Sequence, residues 1–272
     1  SAPIWGDLQV KRYAMPYTFS SAGQLMAAGE RLELVSLPLS TDPSSGALSL
    51  ALNPSLLVTL VDGLEALETI PYGDTVTSLS RLLANLNAYL VLEALGEASP
   101  QLASELRDVI GKGINQLLAA QNFDGGWSWW RSSNFEEVTS DPFITAYVLL
   151  GLEAADEVGM EVGEAFLDRA RDHLVFSMDL PEEIEDVWRL DQLTFQAYAL
   201  RKHQFNLMPT LEGLYTRRSE LSPWSLGLLA LTLGEQGDTN ARVNTLIGDI
   251  EARAIRSATG VHWESDGSSW IL

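Results

Sequence analysis

The residues equipped for chemistry in this chain are few and poorly paired. Asp74 follows Gly73 at the head of an apolar stretch, three residues before Thr77. A carboxylate in that place is expected to cap a helix, accepting hydrogen bonds from first-turn amides at the positive end of the dipole. As a catalytic acid or base it would need a second titratable group, and no neighbour supplies one. His173, His203 and His262 are scattered over a helix, a helix end and a loop. None has the i, i+4 histidine or carboxylate partner of a metal site, so surface or capping roles are expected. Glu136-Glu137 and Glu182-Glu183-Glu185-Asp186 lack the oxygen-ligand spacing of a calcium loop and read as solvated faces. There is no cysteine, which excludes thiol catalysis, thiolate zinc sites and a disulfide framework. There is also no glycine-rich phosphate loop and no G-x-S-x-G. The expectation is a chain with no catalytic residue, no metal and no cofactor.

A second group is aromatic. Gln121-Asn122-Phe123-Asp124-Gly125-Gly126-Trp127 ends one helical stretch and leads to another. A Gln at a helix end can bond the turn while Trp127 stacks beside it, which is a repeat-stabilising arrangement. Trp129, Trp130, Phe123 and Phe135 exceed what such a turn needs. Together with Tyr72, residues Trp127, Trp129 and Trp130 are the candidates for an interaction surface.

The elements around these residues fall into two parts. In residues 1–53, Val10–Tyr13, Arg31–Leu37 and Ala47–Leu52 show partial period-two alternation bounded by Gly, Ser and Pro, which reads as strands. From Pro54 the spacing becomes helical, beginning with Leu56, Leu57, Leu60, Leu64 and Leu67 on one face. Further helices are expected over 75–98, 101–121, 141–158, 164–178, 186–204, 208–220, 222–237 and 239–257. Ser99-Pro100, Asp141-Pro142, Ser222-Pro223 and Asp238-Thr239 supply start signals. Stretches 75–98, 141–158, 186–204 and 222–237 are apolar nearly all round and alternate with amphipathic ones. A helix apolar all round must be buried on all sides, so the alternation implies an inner and an outer layer: an α/α toroid of helical hairpins. Residues 1–53 are read as a strand segment and 54–272 as the toroid.

The formal net charge is −20, from 17 Lys and Arg against 37 Asp and Glu. Such a surface repels phosphate backbones and anionic bilayers, so neither nucleic acid nor membrane is an expected partner. The apolar runs are too short to span a membrane.

Pro71-Tyr72-Gly73-Asp74-Thr75-Val76-Thr77-Ser78-Leu79-Ser80-Arg81 resembles the thioester segment of the α2-macroglobulin and complement family, P-Y-G-C-x-E-Q-T-x-S-R. Pro71, Tyr72, Gly73, Ser80 and Arg81 keep the frame. Asp74, Val76 and Thr77 stand where the family has cysteine, glutamate and glutamine. The likeness extends in order along the chain: Arg31–Pro38, Asp42–Leu50, Asn53–Leu56, Asp62–Leu64, the Gln121–Trp130 turn, Thr145–Leu152 and Ser257–Trp263.

The resemblance implies a mainly α fold, an incomplete α/α toroid preceded by strands of a CUB-like region. It implies a piece of a secreted or periplasmic broad-spectrum endopeptidase inhibitor, itself no enzyme. Its partners would be the other domains of the parent protein and the trapped endopeptidases. Aromatic residues shield the thioester in relatives that have one. Without the Cys and Gln side chains, trapping would be non-covalent. The histidine used for acyl transfer has no counterpart in residues 128–172. The D-x-D-D and D-D-x-x-D motifs of cyclases on the same toroid are missing too. The alternative reading is an interaction or structural module of an envelope protein with no inhibitory activity.

Overall fold

Helix starts set the architecture. In a computed structural model of the chain, Asp74, Ser99, Asp141 and Ser222 each turn a side-chain oxygen onto a first-turn amide, and Pro100, Pro142 and Pro223 occupy the first helical position. A proline there sacrifices an amide that would have no intrahelical partner. The residues described are 17–25, 27–39, 41, 46–50, 52, 63–64, 67, 73–96, 99–130, 139–203, 205–237, 240–257 and 260–264. Tyr72, Phe135, Glu136, Glu137, Val10–Tyr13, Pro54–Leu60 and Asp238-Thr239 lie outside them.

The helices are α1 (Thr75–Leu95), α2 (Pro100–Leu118), α3 (Pro142–Glu157), α4 (Glu164–Phe176), α5 (Val187–Ala199), α6 (Met208–Thr216), α7 (Pro223–Glu235) and α8 (Asn240–Ala252). A short 3₁₀ turn, Pro181–Glu183, lies between α4 and α5. Gly63, Leu64 and Leu67 are also helical. Strands β1 (Ile255–Ser257) and β2 (Gly260–His262) pair antiparallel, with Arg256 opposite Val261. No helix among the described residues is long and apolar enough to cross a membrane.

The two layers are visible in burial. Helix α2 buries Leu106, Ile110, Ile114 and Leu117, a single stripe at spacings of three and four. Each such side chain contributes about 1.5–3 kcal/mol on burial. Helix α3 instead buries residues on several sides, including Ile144, Ala146, Val148, Leu149 and Leu152. The inner helices α1, α3, α5 and α7 pack side by side in that order, with α2, α4 and α8 packed outside α1, α3 and α7. Ala88, Ala146 and Ala197, each followed by a tyrosine, are buried on α1, α3 and α5. The fold is mainly helical, with few strands.

The chain divides into two compact units, Ser1–Asn53 and Pro54–Leu272. In the first, the strands expected over 31–37 and 47–52 are not formed: described residues 31–38 and 46–50 carry no regular secondary structure. Leu32, Leu34 and Leu48 are exposed there. Alternation makes a strand only when a neighbouring ladder takes up the backbone groups, and the described residues provide none. The last helix ends at Ala252, five residues before the expected 257, and the chain turns into the β1–β2 hairpin.

Candidate functional site

Three chain segments converge at the head of α1. Thr75 donates its amide to the Trp129 carbonyl at 3.2 Å and its hydroxyl to the Ser128 carbonyl at 2.7 Å. The same loop is tied to the head of α3: the Asp141 amide donates to the Trp127 carbonyl at 2.8 Å, and the Trp127 amide to Thr145 Oγ1 at 2.9 Å. One loop thus joins the first turns of two neighbouring inner helices through its backbone.

The positions of interest sit in the first turn of α1. Asp74 Oδ1 accepts from the Thr77 amide at 2.8 Å, and Oδ2 accepts from Thr77 Oγ1 at 2.6 Å. Ser78 Oγ donates back to the Asp74 carbonyl at 2.9 Å. Burial pushes the Asp74 carboxyl up, but hydrogen bonds from the Thr77 hydroxyl and the first-turn amides outweigh it and hold it below the usual carboxylate value. Val76 is half-buried against the core. Arg81 donates to the Leu67 carbonyl at 3.0 Å.

The aromatic residues of the loop do different things. Trp127 is fully buried and donates Nε1 to the Leu117 carbonyl at 2.8 Å. Trp129 is part-exposed, with Nε1 donating to Asp141 Oδ2 at 3.1 Å. Trp130 is 69% exposed. It is the loop's backbone, through Ser128 and Trp129, that bonds Thr75 beside Asp74.

Next to this lies a cluster with no counterpart in the sequence reading. Asp124 Oδ1 accepts from Ser140 Oγ at 2.6 Å and from the Gly126 amide at 3.1 Å, and Oδ2 accepts from the Ser140 amide at 3.2 Å. His173 Nδ1 is 3.2 Å from the Asp124 carbonyl and 3.7 Å from its Oδ2. Serine, aspartate and histidine are all present, but the aspartate sits between the other two. A nucleophile needs its hydroxyl bonded to the imidazole, so this order activates nothing. His203 meets Glu153 at 2.7 Å, and Glu153 also accepts from Arg171 at 3.0 Å. No group of three His, Asp or Glu among the described residues is placed to hold a metal ion. Both contacts bridge some 50 positions of sequence, and no local pattern announces them.

No family model matches the chain. It is 33% identical to the α2-macroglobulin of Thermotoga maritima over 121 residues, 44% of this chain and 7% of that protein. It is 23% identical to the thioester-containing protein 1 allele R1 of Anopheles gambiae over 133 residues, 49% of this chain and 10% of that one. The fold matches native Escherichia coli α2-macroglobulin, solved from domain MG7 to the C-terminus, with a TM-score of 0.56 and 22% identity. That match covers 70% of this chain and 30% of the other. In part of its sequence and in its fold this chain is similar to α2-macroglobulins. The same fold is seen in Salmonella α2-macroglobulin reacted with methylamine, with a TM-score of 0.58, 22% identity and coverage of 74% of this chain and 13% of that one. The helical unit matches the α/α-toroid region of the α2-macroglobulin thioester domain in fold. The chain spans a tenth or less of the two sequence relatives named.

Proposed function

We propose that this chain is the thioester-like domain of a longer extracytoplasmic α2-macroglobulin-type endopeptidase inhibitor that traps its target without a covalent bond. One observation carries the reading. The two positions that resemble the family's cross-linked Cys and Gln are Asp74 and Thr77, and their side chains are hydrogen-bonded at 2.6 Å. The spacing of three residues is the one the resemblance gives for the thioester, with a non-covalent contact in its place. A carboxylate and a hydroxyl form no acylating group, and the chain has no thiol to form one. The domain would act by packing against the rest of the parent protein and moving when that protein is cleaved. Trp129 and Trp130, on the loop that holds the head of α1, are the side chains best placed to meet a neighbour, and Tyr72, two residues before Asp74 in sequence, is the third candidate.

The test uses the full-length parent protein, incubated with serine, cysteine and metallo-endopeptidases. Cleavage of a large protein substrate and of a small peptide are followed, then denaturing gels are run. The expected result is loss of large-substrate cleavage, retention of small-substrate cleavage and no covalent adduct, all unchanged by prior methylamine. Unchanged cleavage of the large substrate overturns the inhibitor reading and leaves the interaction module. An adduct that survives denaturation overturns non-covalent trapping.

A further inference from the structure

Two phenylalanines on the helical unit are almost wholly in water. Phe123, in the turn after α2, is 104% exposed, and Phe176, the last residue of α4, is 93% exposed. They belong to one face. The 121–127 turn is fastened along α4: Gln121 Nε2 donates to the Phe166 carbonyl at 2.8 Å, and His173 Nδ1 lies 3.2 Å from the Asp124 carbonyl. At Gly125 the turn comes so close that an added Cβ would stand 2.5 Å from the Arg169 carbonyl oxygen. His173 and Phe176, three apart, share a helix face, so Phe176 stands one turn from the residue that touches Phe123's neighbour. Both rings are thus mounted on fixed backbone.

The segment that runs on from Phe176 to the head of α5 is acidic. Residues 172–186 contain Asp172, Asp179, Glu182, Glu183, Glu185 and Asp186, and no Lys or Arg. Asp179 is paired with Arg189. Glu182, Glu183, Glu185 and Asp186 meet no cation among the described residues. The strip is held in place: Pro181 is buried, and Arg217 donates to the carbonyls of Pro181 and Ile184 at 2.6 Å each. A metal ion does not account for the carboxylates, since no three of them converge among the described residues.

We propose that this face is a docking surface for a basic protein segment that carries apolar side chains between its lysines or arginines. Exposed aromatic anchors flanked by charge have the anatomy of an interface, with a few large apolar side chains at the centre and a charged rim. The rim selects the partner by charge. It repels acidic surfaces, another copy of this chain included, and draws in cationic ones. The proposal is independent of the inhibitor reading, because it needs no protease.

The probe is a fluorescein-labelled 15-residue peptide alternating lysine with leucine and phenylalanine. One control replaces the apolar residues by serine and another replaces lysine by glutamate. Anisotropy is read with the 272-residue chain at 0.05, 0.15 and 0.5 M salt. The basic apolar peptide is expected to bind at least tenfold more tightly than either control and to weaken as salt rises. The double variant Phe123→Ser/Phe176→Ser should lose at least tenfold at every salt concentration while keeping the wild-type melting temperature. The quadruple variant Glu182→Gln/Glu183→Gln/Glu185→Gln/Asp186→Asn should lose affinity chiefly at low salt, flattening the salt dependence. Equal binding of the serine control overturns the proposal, since charge alone would then suffice. Wild-type affinity in both variants overturns it as well, because the binding surface would lie elsewhere. So does a dimer in sedimentation that the phenylalanine variant abolishes, because the face would then serve a second copy.

Discussion

Thr77 closes a ring onto Asp74, its hydroxyl donating to one carboxylate oxygen at 2.6 Å and its amide to the other at 2.8 Å. Both carboxylate oxygens are therefore used within a single helical turn. The cap satisfies an amide that would otherwise have no partner, and the hydroxyl contact fixes the rotamer that makes the cap. Asp74→Ala should destabilise the domain by about 1–2 kcal/mol, the usual cost of losing an N-cap. Thr77→Val, which keeps the branch and removes the hydroxyl, should cost about 1 kcal/mol. The double variant should lose less than the sum, because the two side chains act as one unit. Urea unfolding of the four proteins measures this, and strict additivity would refute the coupling.

Asp124 should contribute to the acid sensitivity of the domain. Burial pushes its carboxyl up, but hydrogen bonds from the Ser140 hydroxyl and the Gly126 and Ser140 amides, with His173 nearby, pull it below the usual value. A carboxyl lowered on folding contributes stability that is fully present above its unfolded value of about 3.9 and is lost as pH falls through the folded value. Asp124→Asn should therefore cost stability at pH 7 and show a shallower decline between about pH 4 and pH 2 than the parent. Thermal melts across that range test it. Parallel curves would remove Asp124 from the account.

How much of this was legible beforehand depends on the range of the interactions. Caps are local, so Ser99-Pro100, Asp141-Pro142 and Ser222-Pro223 marked helix starts that the structure has at those residues. The two layers followed from the contrast between all-round apolar helices and one-stripe helices, which is also a local property. The N-terminal alternation misled, because a strand depends on a partner that the segment's own residues do not encode. The helix read as continuing to 257 stops at Ala252, where Arg253 turns its side chain back to the Leu221 and Ser219 carbonyls. At the site, Asp74 as a cap could be read from its own neighbours. The Thr75 link to Ser128 spans 53 positions and the His173 link to Asp124 spans 49, so neither could.

Gly125 and Gly126 should be the least replaceable residues of the loop. Gly125 has φ +91°, and a Cβ there would stand 2.5 Å from the backbone oxygen of Arg169. A Cβ on Gly126 would stand 2.5 Å from Ser140 Cβ and 2.7 Å from Thr145 Oγ1. Alanine at Gly125 adds left-handed backbone strain to a clash with main chain that cannot step aside, for a cost of about 3 kcal/mol or more. Alanine at Gly126 should cost about 1–3 kcal/mol, the range for overpacking. It should also loosen the Asp124–Ser140 contact. Melting temperatures should fall further for Gly125→Ala than for Gly126→Ala, and the reverse order would show that the α4 backbone yields to the added methyl.

A repeated clamp closes two successive helix ends, and its two copies differ in burial. Arg201 lies over the Tyr198 ring at 3.9 Å, donates to the Tyr198 carbonyl at 2.9 Å and reaches Glu235 at 3.3 Å. Arg218 repeats this with Tyr215 at 4.8 Å, its carbonyl at 3.2 Å and Asp249 at 3.1 Å. Each ties the end of one helix to the end of the helix two further on, α5 to α7 and α6 to α8. The guanidinium can stack, cap and pair at once, whereas an ammonium cannot meet that planar geometry. The Arg201 side chain is 11% exposed and that of Arg218 34%, so solvent screens the second clamp more. Arg201→Lys should therefore cost about 1–2 kcal/mol and Arg218→Lys less than about 1 kcal/mol. Raising salt should narrow the gap between Arg218→Lys and the parent while leaving most of the Arg201→Lys loss in place. Urea unfolding at 0.05 and 0.5 M salt separates the two, and equal salt responses would mean that stacking and capping, rather than ion pairing, dominate both clamps.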